Sequence, residues 1–401
     1  MSVSRLILLT VFAVIGLITQ TTCAAEVEPL RVGAASVNIT PEPGVRLGGY
    51  GMRYTPSTGV RSNIFARVLT LQKGNEQVVW IVCDLLCVDW KDAQLIQAKI
   101  AKKHGIAQNR IIVSATHTHS APATVTLGPP KEEGYVYDFL IPRICNAVDQ
   151  ALASVEVCSV VQTQGCCQVA HDRRNDRVVG DGGAPNPDKK FAFIDERVPA
   201  IGFKRADGSF KTILVQYAMH PTSWGDTNMG AEWPGAVTVA IKRTFGDQVE
   251  PFVLQGGAGN LGSPKRKANP EEMQSWGDDI VASIGNKLKE AKASDNVPFA
   301  FAYENLSIAI AAPKDAETIK ADAASWKKTY GKSPDTLRNM VEPWEKIQLA
   351  KLKDGTIGSV PSNTALVAIG SHVFVTTPFE TFAQLNREIA LAVAGSNSAK
   401  A

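Results

Sequence analysis

The segment Arg110-Ile-Ile-Val-Ser-Ala-Thr-His117-Thr-His119-Ser120 combines a predicted strand with two histidines. The β-branched residues at 111–113 are typical of a buried strand. The histidines follow at positions i and i+2, and in extended backbone such side chains point to the same side. Neutral imidazole is the commonest metal ligand and the usual acid or base near pH 7. The segment therefore predicts either a metal site at a strand end or two histidines that are only hydrogen-bonded.

Other predicted strands also end in polar residues that can do chemistry. Strands alternate with helices along the chain, which indicates an α/β fold with layered mixed sheets and flanking helices. Among the predicted elements are a strand over 155–162, a hairpin formed by 198–204 and 211–219, and helices over 316–330 and 337–352. In open α/β sheets, ligand sites gather at the carboxyl ends of strands, so we expect the active site there. The polar strand-end residues are Asp84, His117, His119, His220, the stretch 260–263, and Glu380.

Two histidines and a carboxylate form a ligand set that zinc hydrolases use, with one position left open for water or substrate. Zinc polarises a carbonyl and lowers the pKa of bound water to about 7, which suits hydrolysis of an amide or ester at neutral pH. The pattern therefore predicts a zinc hydrolase. His372 lies within an apolar predicted strand, and we expect it in the core rather than at a metal.

Composition limits the class of protein. The chain has 401 residues, of which 44% are hydrophobic and 20% charged, and this is enough material for a large core. The formal charge of +3 is small and the Lys and Arg residues are scattered, so nucleic-acid binding is not expected. No linker, charge block or repeat divides the chain, and we predict a single domain over residues 26–401.

The N-terminus has the layout of a secretory signal peptide over residues 1–25. Residues 1–5 form a short basic start, residues 6–18 are almost wholly apolar, and small residues follow at 22–25. We expect cleavage near Ala24 or Ala25 and a protein that is periplasmic or secreted. A transmembrane anchor is the alternative, but the apolar run is shorter than the ~20 residues that a span needs. Lipidation at Cys23 is a weaker alternative because Thr-Thr-Cys is a poor acylation motif.

Six cysteines follow the signal peptide, an even number that permits disulfides in an exported protein. Two of them lie in an apolar, strand-like stretch and are alternatively plain buried thiols. The adjacent pair at 166–167 could bridge to Cys158 or Cys145. No Cys-x-x-Cys pair exists, so a cysteine-based zinc site is not expected. The six are Cys83, Cys87, Cys145, Cys158, Cys166 and Cys167.

Several motifs together resemble the catalytic domain of the neutral ceramidases, the neutral/alkaline non-lysosomal family. The Thr-His-Thr-His motif within 114–120 is quite specific when it occurs together with the other motifs, and the segments 32–40 and 49–53 resemble the family as well. The resemblance spans most of the mature chain. Its other segments are Ala218-Met-His-Pro-Thr-Ser223, Glu232-Trp-Pro-Gly235, Gln255-Gly-Gly-Ala-Gly-Asn260 and Pro378-Phe-Glu380.

This resemblance implies a zinc amidase that cleaves the N-acyl bond of ceramide to a fatty acid and sphingosine. His119 matches a second histidine beside the metal, able to stabilise the oxyanion or shuttle a proton. A site arginine corresponds to Arg173 or Arg174, and the active-site serine of the family lies near Ser263. The substrate would be a small-molecule or lipid amide, and a lipid is compatible with peripheral contact with a membrane. The residues that match the zinc ligands are His117, His220 and Glu380.

Two features of the family pattern are missing. The family has a fourth ligand, a tyrosine downstream of the glutamate, but no tyrosine follows Tyr330 here, so the coordination would be more open or completed by water. The chain also ends soon after Glu380, and we expect no C-terminal immunoglobulin-like domain. Alternative functions are therefore hydrolysis of another N-acyl compound, such as an acylated amino sugar, hydrolysis of an ester, and non-catalytic binding of a lipid or glycan.

Overall fold

The computed structural model describes residues 28–173, 193–310, 315–354 and 358–398, and the predicted signal peptide and Arg174 lie outside these ranges. The strands are β1 (Arg31–Asn38), β2 (Gly59–Val60), β3 (Phe65–Lys73), β4 (Glu76–Cys83), β5 (Ile111–Ala115), β6 (Glu156–Val157), β7 (Ser159–Cys166), β8 (His171–Asp172), β9 (Arg197–Lys204), β10 (Phe210–Tyr217), β11 (Asn228–Met229), β12 (Glu250–Gln255), β13 (Leu261–Gly262), β14 (Phe299–Ala309), β15 (Ser359–Ile369) and β16 (His372–Val375). The helices are α1 (Trp90–His104), α2 (Ile141–Ala153), α3 (Glu232–Phe245), α4 (Pro270–Glu290), α5 (Ala316–Tyr330), α6 (Pro334–Thr336), α7 (Glu342–Asp354) and α8 (Ala383–Ser398), with a 3-10 turn at Gln108–Arg110 and π-helical turns at Tyr135–Leu140 and Leu337–Val341.

A five-stranded sheet carries the first two histidines. Its order is β5-β4-β3-β1-β6, with β4 and β5 parallel and the other neighbours antiparallel. The predicted strand at 111–113 is confirmed as part of β5, and its two isoleucines are buried. Because Cys83 of β4 pairs with Ala115 of β5, the carboxyl ends of these strands lie at the same edge of the sheet.

A four-stranded sheet, in the order β12-β10-β9-β7, carries the third histidine. Strands β9 and β10 form the hairpin that the sequence predicts, and β10 runs parallel to β12. Tyr217 and Gln255, at the ends of those two parallel strands, pair with each other. His220 and the glycine-rich segment after Gln255 therefore leave this sheet at one edge.

The two sheets pack face to face and are covered on their outer faces by helices. Leu69 and Trp80 of the first sheet lie in one cluster with Phe203 and Phe252 of the second. Helices α1 and α2 cover the first sheet, whereas α3 and α4 cover the second. Each fully buried Leu, Ile, Val or Phe contributes roughly 1.5–3 kcal/mol. The four layers, helix–sheet–sheet–helix, confirm the predicted α/β fold with layered mixed sheets and flanking helices.

A third sheet, the antiparallel β14-β15-β16, lies beside this sandwich and leads to Glu380. The Trp80 ring meets Phe252 of β12 and Phe374 of β16 edge to face, at centroid distances of 5.7 and 5.9 Å, and so contacts all three sheets. His372 has a structural contact as expected, because its Nε2 lies 3.0 Å from the carbonyl oxygen of Thr163 in β7.

The chain changes sheets at Cys158. The sequence predicts one strand over 155–162, but the structure has β6, which pairs with β1, and β7, which pairs with β9 in the other sheet. Cys158 lies between them, is buried, and donates its N–H to the carbonyl oxygen of Leu30 at 3.0 Å. Both pieces are extended, so side-chain alternation alone does not reveal the change of partner.

All six cysteines within the described ranges are free thiols, so the disulfide alternative is not realised there. Three of them, Cys83, Cys158 and Cys167, are buried, and this burial raises the pKa of each thiol. Among the helices that the structure describes, none combines the length and the apolar character needed to cross a membrane.

Asp84, one of the predicted strand-end residues, supports the fold. Its carboxylate accepts hydrogen bonds from Arg67 Nη1 at 2.8 Å and from the backbone N–H of Phe65 at 2.9 Å. The hydroxyl of Thr116 donates to the other oxygen at 3.3 Å. Both side chains of the ion pair are buried, with 3% and 0% exposed. The carboxylate thus anchors β4 to β3 and to the backbone that precedes the first histidine.

Replacing Arg67 by Ala leaves the Asp84 carboxylate buried without its cation. Removing one partner of a buried pair typically costs about 3–5 kcal/mol, and we expect the free energy of unfolding in urea to fall by that order. The matched control is Arg243→Ala, which removes an exposed pair with Asp278 and should cost about 1 kcal/mol or less. Equal losses in the two variants would contradict the structural role of the buried pair.

Candidate metal centre

Two of the histidines are oriented by backbone carbonyls. His117 follows β5 in the left-handed region, with φ 68°, and its Nδ1 lies 2.8 Å from the carbonyl oxygen of Leu86. His220 follows β10, and its Nδ1 lies 3.0 Å from the carbonyl oxygen of Ala258. Because a carbonyl only accepts, each Nδ1 carries the proton and each Nε2 presents a lone pair. Metal-ligating histidines are usually held in this way.

The three imidazoles converge at their Nε2 atoms. These atoms are 3.1 Å apart for His117 and His220, 3.3 Å for His117 and His119, and 3.0 Å for His119 and His220. Ligand atoms on one tetrahedral zinc ion lie about 3.3 Å apart. Without a cation or a proton between them, the lone pairs of His117 and His220 repel each other. The three residues therefore fit a metal ion, and His119 could be a third nitrogen ligand.

Glu380 brings a carboxylate to the same place. It follows Phe379, which has a φ of 69°, in the turn between β16 and α8. Its Oε1 lies 3.3 Å from His117 Nε2, and its Oε2 lies 3.8 Å from His220 Nε2. The contact with His117, followed by the effect of neighbouring charges that include Arg173, lowers the pKa of Glu380 to about 2. The structure thus brings together an ionised carboxylate and the two histidines that the sequence predicts as ligands.

Burial keeps two of the imidazoles neutral. Desolvation, with a smaller effect from His117, lowers the pKa of His119 well below its usual value. The same two causes lower the pKa of His220 to about 3. A ligand nitrogen must be deprotonated to bind a metal, so these neutral rings favour coordination at physiological pH.

The loop with glycines at 48, 49 and 51, called the glycine loop below, packs against His119. A Cβ atom on Gly49 would lie 2.4 Å from His119 Nδ1, and the Tyr50 ring meets the imidazole at 5.3 Å. The buried Arg53 guanidinium donates to the carbonyl oxygens of His119 and Gly48, both at 2.5 Å. Unlike the other two histidines, His119 has no hydrogen-bond partner at Nδ1 among the described residues.

The predicted site arginine lies beside the carboxylate. Arg173 Nη2 donates to the carbonyl oxygen of Gly259 at 3.0 Å and lies 3.9 Å from Glu380 Oε2. The other candidate, Arg174, falls outside the described residues. Arg173 is therefore the arginine that the structure brings to the centre.

The segment 260–263 forms part of the wall around the centre. Asn260 Oδ1 accepts the N–H of Ala383 at 2.8 Å, which ties the start of α8 to this segment. Ser263 is buried, and its Oγ lies 2.6 Å from Ser223 Oγ. The residue before Ser263 forms a β-bridge with His220. The predicted serine therefore lies next to the loop that carries the third histidine.

Two polar residues that were not singled out as site residues support the histidines. Gln255 Nε2 donates to the carbonyl oxygens of Thr116 at 3.2 Å and of Met219 at 2.9 Å, and so joins the backbone just before the first histidine to that just before His220. Glu232, the first residue of α3, is only 1% exposed. Both belong to motifs that carry the family resemblance, but a polar strand end and an acidic helix start are too common to indicate these roles.

A model of the family described as neutral/alkaline non-lysosomal ceramidase, N-terminal, matches residues 30–231, half of the chain. All three converging histidines lie within this match. The chain belongs to this ceramidase family. The resemblance inferred from the sequence motifs is therefore confirmed.

Solved ceramidase structures share the fold. Neutral ceramidase from Pseudomonas aeruginosa is 15% identical, with a TM-score of 0.65 over 90% of this chain and 64% of that one. A structure described as ceramidase complexed with C2 is 14% identical, with a TM-score of 0.67 over 89% of this chain and 64% of that one. The present chain thus spans about 64% of the length of the ceramidases it matches.

Replacing Gly49 by Ala tests whether the glycine loop positions His119. Gly49 and Gly44 both have positive φ values, 97° and 116°, but a Cβ on Gly44 would meet nothing within 4 Å. Both alanine variants should lose stability through backbone strain of order 1–3 kcal/mol. Only Gly49→Ala should also displace the His119 ring, measured as a shift of the His119 imidazole signals in proton–nitrogen NMR spectra. Unchanged His119 signals in Gly49→Ala would show that this contact does not position His119.

Proposed function

We propose that this protein is an exported, zinc-dependent amide hydrolase that cleaves the N-acyl bond of ceramide. The observation that carries the proposal is the convergence of imidazole Nε2 atoms and one ionised carboxylate at strand ends. Membership of the ceramidase family supports an acyl-amide substrate of lipid character. A structure described as a ceramidase complexed with C2 has the same fold and supports the same class of substrate.

His117, His220 and Glu380 would hold the zinc ion. The two histidines have carbonyl partners at Nδ1, which leave Nε2 free to coordinate. When bound, zinc polarises a carbonyl group and lowers the pKa of water to about 7. Zinc is favoured over calcium or magnesium because imidazole nitrogens predominate among the available ligand atoms.

His119 would hold a proton for the reaction. Its ring is neutral and no carbonyl fixes the proton at Nδ1, so Nε2 is free to carry it. An Nε2–H at this place can donate to the oxygen that becomes negative when water adds to the amide carbonyl. The glycine loop and Tyr50 hold the ring so that this nitrogen faces the other imidazoles.

Arg173 would add positive charge on the side of Glu380. Its guanidinium lies 3.9 Å from the carboxylate and remains partly exposed, so it can also face a bound substrate. A positioned donor to a developing oxyanion typically accounts for ~100- to 1,000-fold in rate. Ser263 would act by bracing the His220 loop through its bond to Ser223.

The test is release of fatty acid from a short-chain ceramide by purified protein, followed by mass spectrometry with and without a chelator. Chelation should abolish release and added zinc should restore it. His220→Ala should lose both zinc and turnover, whereas His119→Gln should keep zinc and lose about 100- to 1,000-fold in turnover. The control is His372→Gln, because His372 lies in the third sheet, and it should keep both.

Other outcomes distinguish the alternatives. Release that persists after chelation and in His220→Ala would contradict the zinc mechanism. Loss of zinc in His119→Gln would make His119 a third nitrogen ligand. A zinc-loaded protein that cleaves an acylated amino sugar or an ester, but not ceramide, would keep the metal and change the substrate. Binding of ceramide with no hydrolysis of any compound would identify a non-catalytic protein.

We also propose export through the signal peptide at residues 1–25, on the basis of its basic start, apolar run and small residues. The protein expressed with its own N-terminus should be recovered outside the cytoplasm. Its intact mass should correspond to cleavage after Ala24 or Ala25. An uncleaved chain confined to the cytoplasm would contradict the proposal.

A further inference from the structure

Glu232 is an unusual residue for the place it occupies. It begins α3 with a φ of 53°, a left-handed conformation that is strained for a residue other than glycine. Its side chain is almost fully buried, and a buried carboxylate needs polar partners. Burial also raises the pKa of Glu232 to about 7. The fold keeps a strained backbone and a buried acid at one position, which points to a role for this side chain.

The carboxyl group of Glu232 contacts both histidine loops. Its Oε1 lies 3.0 Å from Oγ of Ser120, the residue directly after His119. Its Oε2 accepts the backbone N–H of Ser223, in the loop that follows His220, at 2.7 Å. One side chain, carried by a helix that supplies none of the histidines, therefore joins the two loops.

The bonds continue from Glu232 into the rest of the centre. The hydroxyl of Ser223 bonds to Ser263 at 2.6 Å, so the serine beside the His220 loop belongs to the same network. The Ser120 hydroxyl also lies 3.1 Å from the carbonyl oxygen of Trp224. Arg53, which holds the His119 carbonyl, contributes a positive charge that favours the ionised form of Glu232.

We propose that Glu232 is a positioning residue that sets the separation of His119 and His220 by joining their loops. Their Nε2 atoms belong to loops that leave different sheets yet lie 3.0 Å apart, and the two loops also bond directly, from the His119 N–H to the Pro221 carbonyl oxygen at 3.2 Å. Gln255 bonds to the backbone that directly precedes His117 and His220, whereas Glu232 bonds to the loops that follow His119 and His220. The inference rests on the proposed metal centre but not on ceramide as the substrate.

The alternative role for Glu232 is that of a negative charge at a helix N-terminus, which stabilises α3 through the helix dipole. Two substitutions separate the roles. In Glu232→Gln, the amide oxygen can accept the Ser223 N–H and the amide nitrogen can donate to Ser120, so the tie is kept without the charge. Glu232→Met keeps a similar length and removes both hydrogen bonds.

The experiment measures zinc affinity by chelator competition and the melting temperature of the chelated protein. Glu232→Met should bind zinc about 10- to 100-fold more weakly, while Glu232→Gln should stay within about threefold of wild type. The control is Asp92→Leu, because Asp92 is a buried carboxylate in the first turn of α1 that bonds to Lys131 and Tyr137. This variant should melt at a lower temperature and keep its zinc affinity.

A dipole role would instead lower the melting temperature equally in the Gln and Met variants and leave zinc affinity unchanged, which would overturn the proposal. If Glu232→Met does not fold, Glu232→Asp keeps the charge but is one methylene too short to reach both loops, and it should weaken zinc binding several-fold; unchanged affinity there would also overturn the proposal. Wild-type protein that binds zinc without hydrolysing ceramide would refute the proposed substrate alone. Wild-type protein that binds no zinc would refute the metal centre, and the positioning role with it.

Discussion

Three imidazole nitrogens lie within 3.3 Å of one another in a largely buried site, and the surrounding structure has to hold them there. Each ring directs a lone pair or a proton toward the same point, so the three rings do not hold one another in this arrangement. Burial keeps the rings of His119 and His220 uncharged, and carbonyls direct the lone pairs of His117 and His220 inward. Backbone packing at Gly49 and the guanidinium of Arg53 fix the third ring. The four-layer core supplies the rigidity, because the loops start from strands of two packed sheets.

Much of the fold follows from local pattern. The strand at 111–113, the hairpin of β9 and β10, and the helix predicted at 316–330 all agree with the structure, because alternation and helical spacing are set by neighbouring residues. The predictions agree less well with the structure where an element is irregular or changes its pairing partner. The helix predicted over 337–352 begins with a π-helical turn at Leu337–Val341 and continues as α7. The predicted strand over 155–162 is divided between two sheets.

The residues of the candidate site also differ in whether the sequence alone predicts them. His117, His119, His220 and Glu380 could be singled out because each follows a predicted strand and carries a ligand atom. Asp84 follows the same rule, but its carboxylate belongs to a buried ion pair whose partner sequence alone does not reveal. Gln255, Glu232 and Arg53 act through contacts with backbone groups of distant segments. Such contacts leave no periodic pattern in the sequence, so the roles of these residues can be recognised only from the structure.

The passage of the chain from one sheet to the other at Cys158 determines how the molecule unfolds. Strands β6 and β7 are consecutive yet pair in different sheets, so separating the sheets breaks pairing in at least one of them. The two halves of the sandwich are therefore a single cooperative unit rather than two independently opening ones. Since one sheet carries His117 and the other carries His220, the centre exists only while that unit is intact. Metal release and global unfolding are consequently linked equilibria.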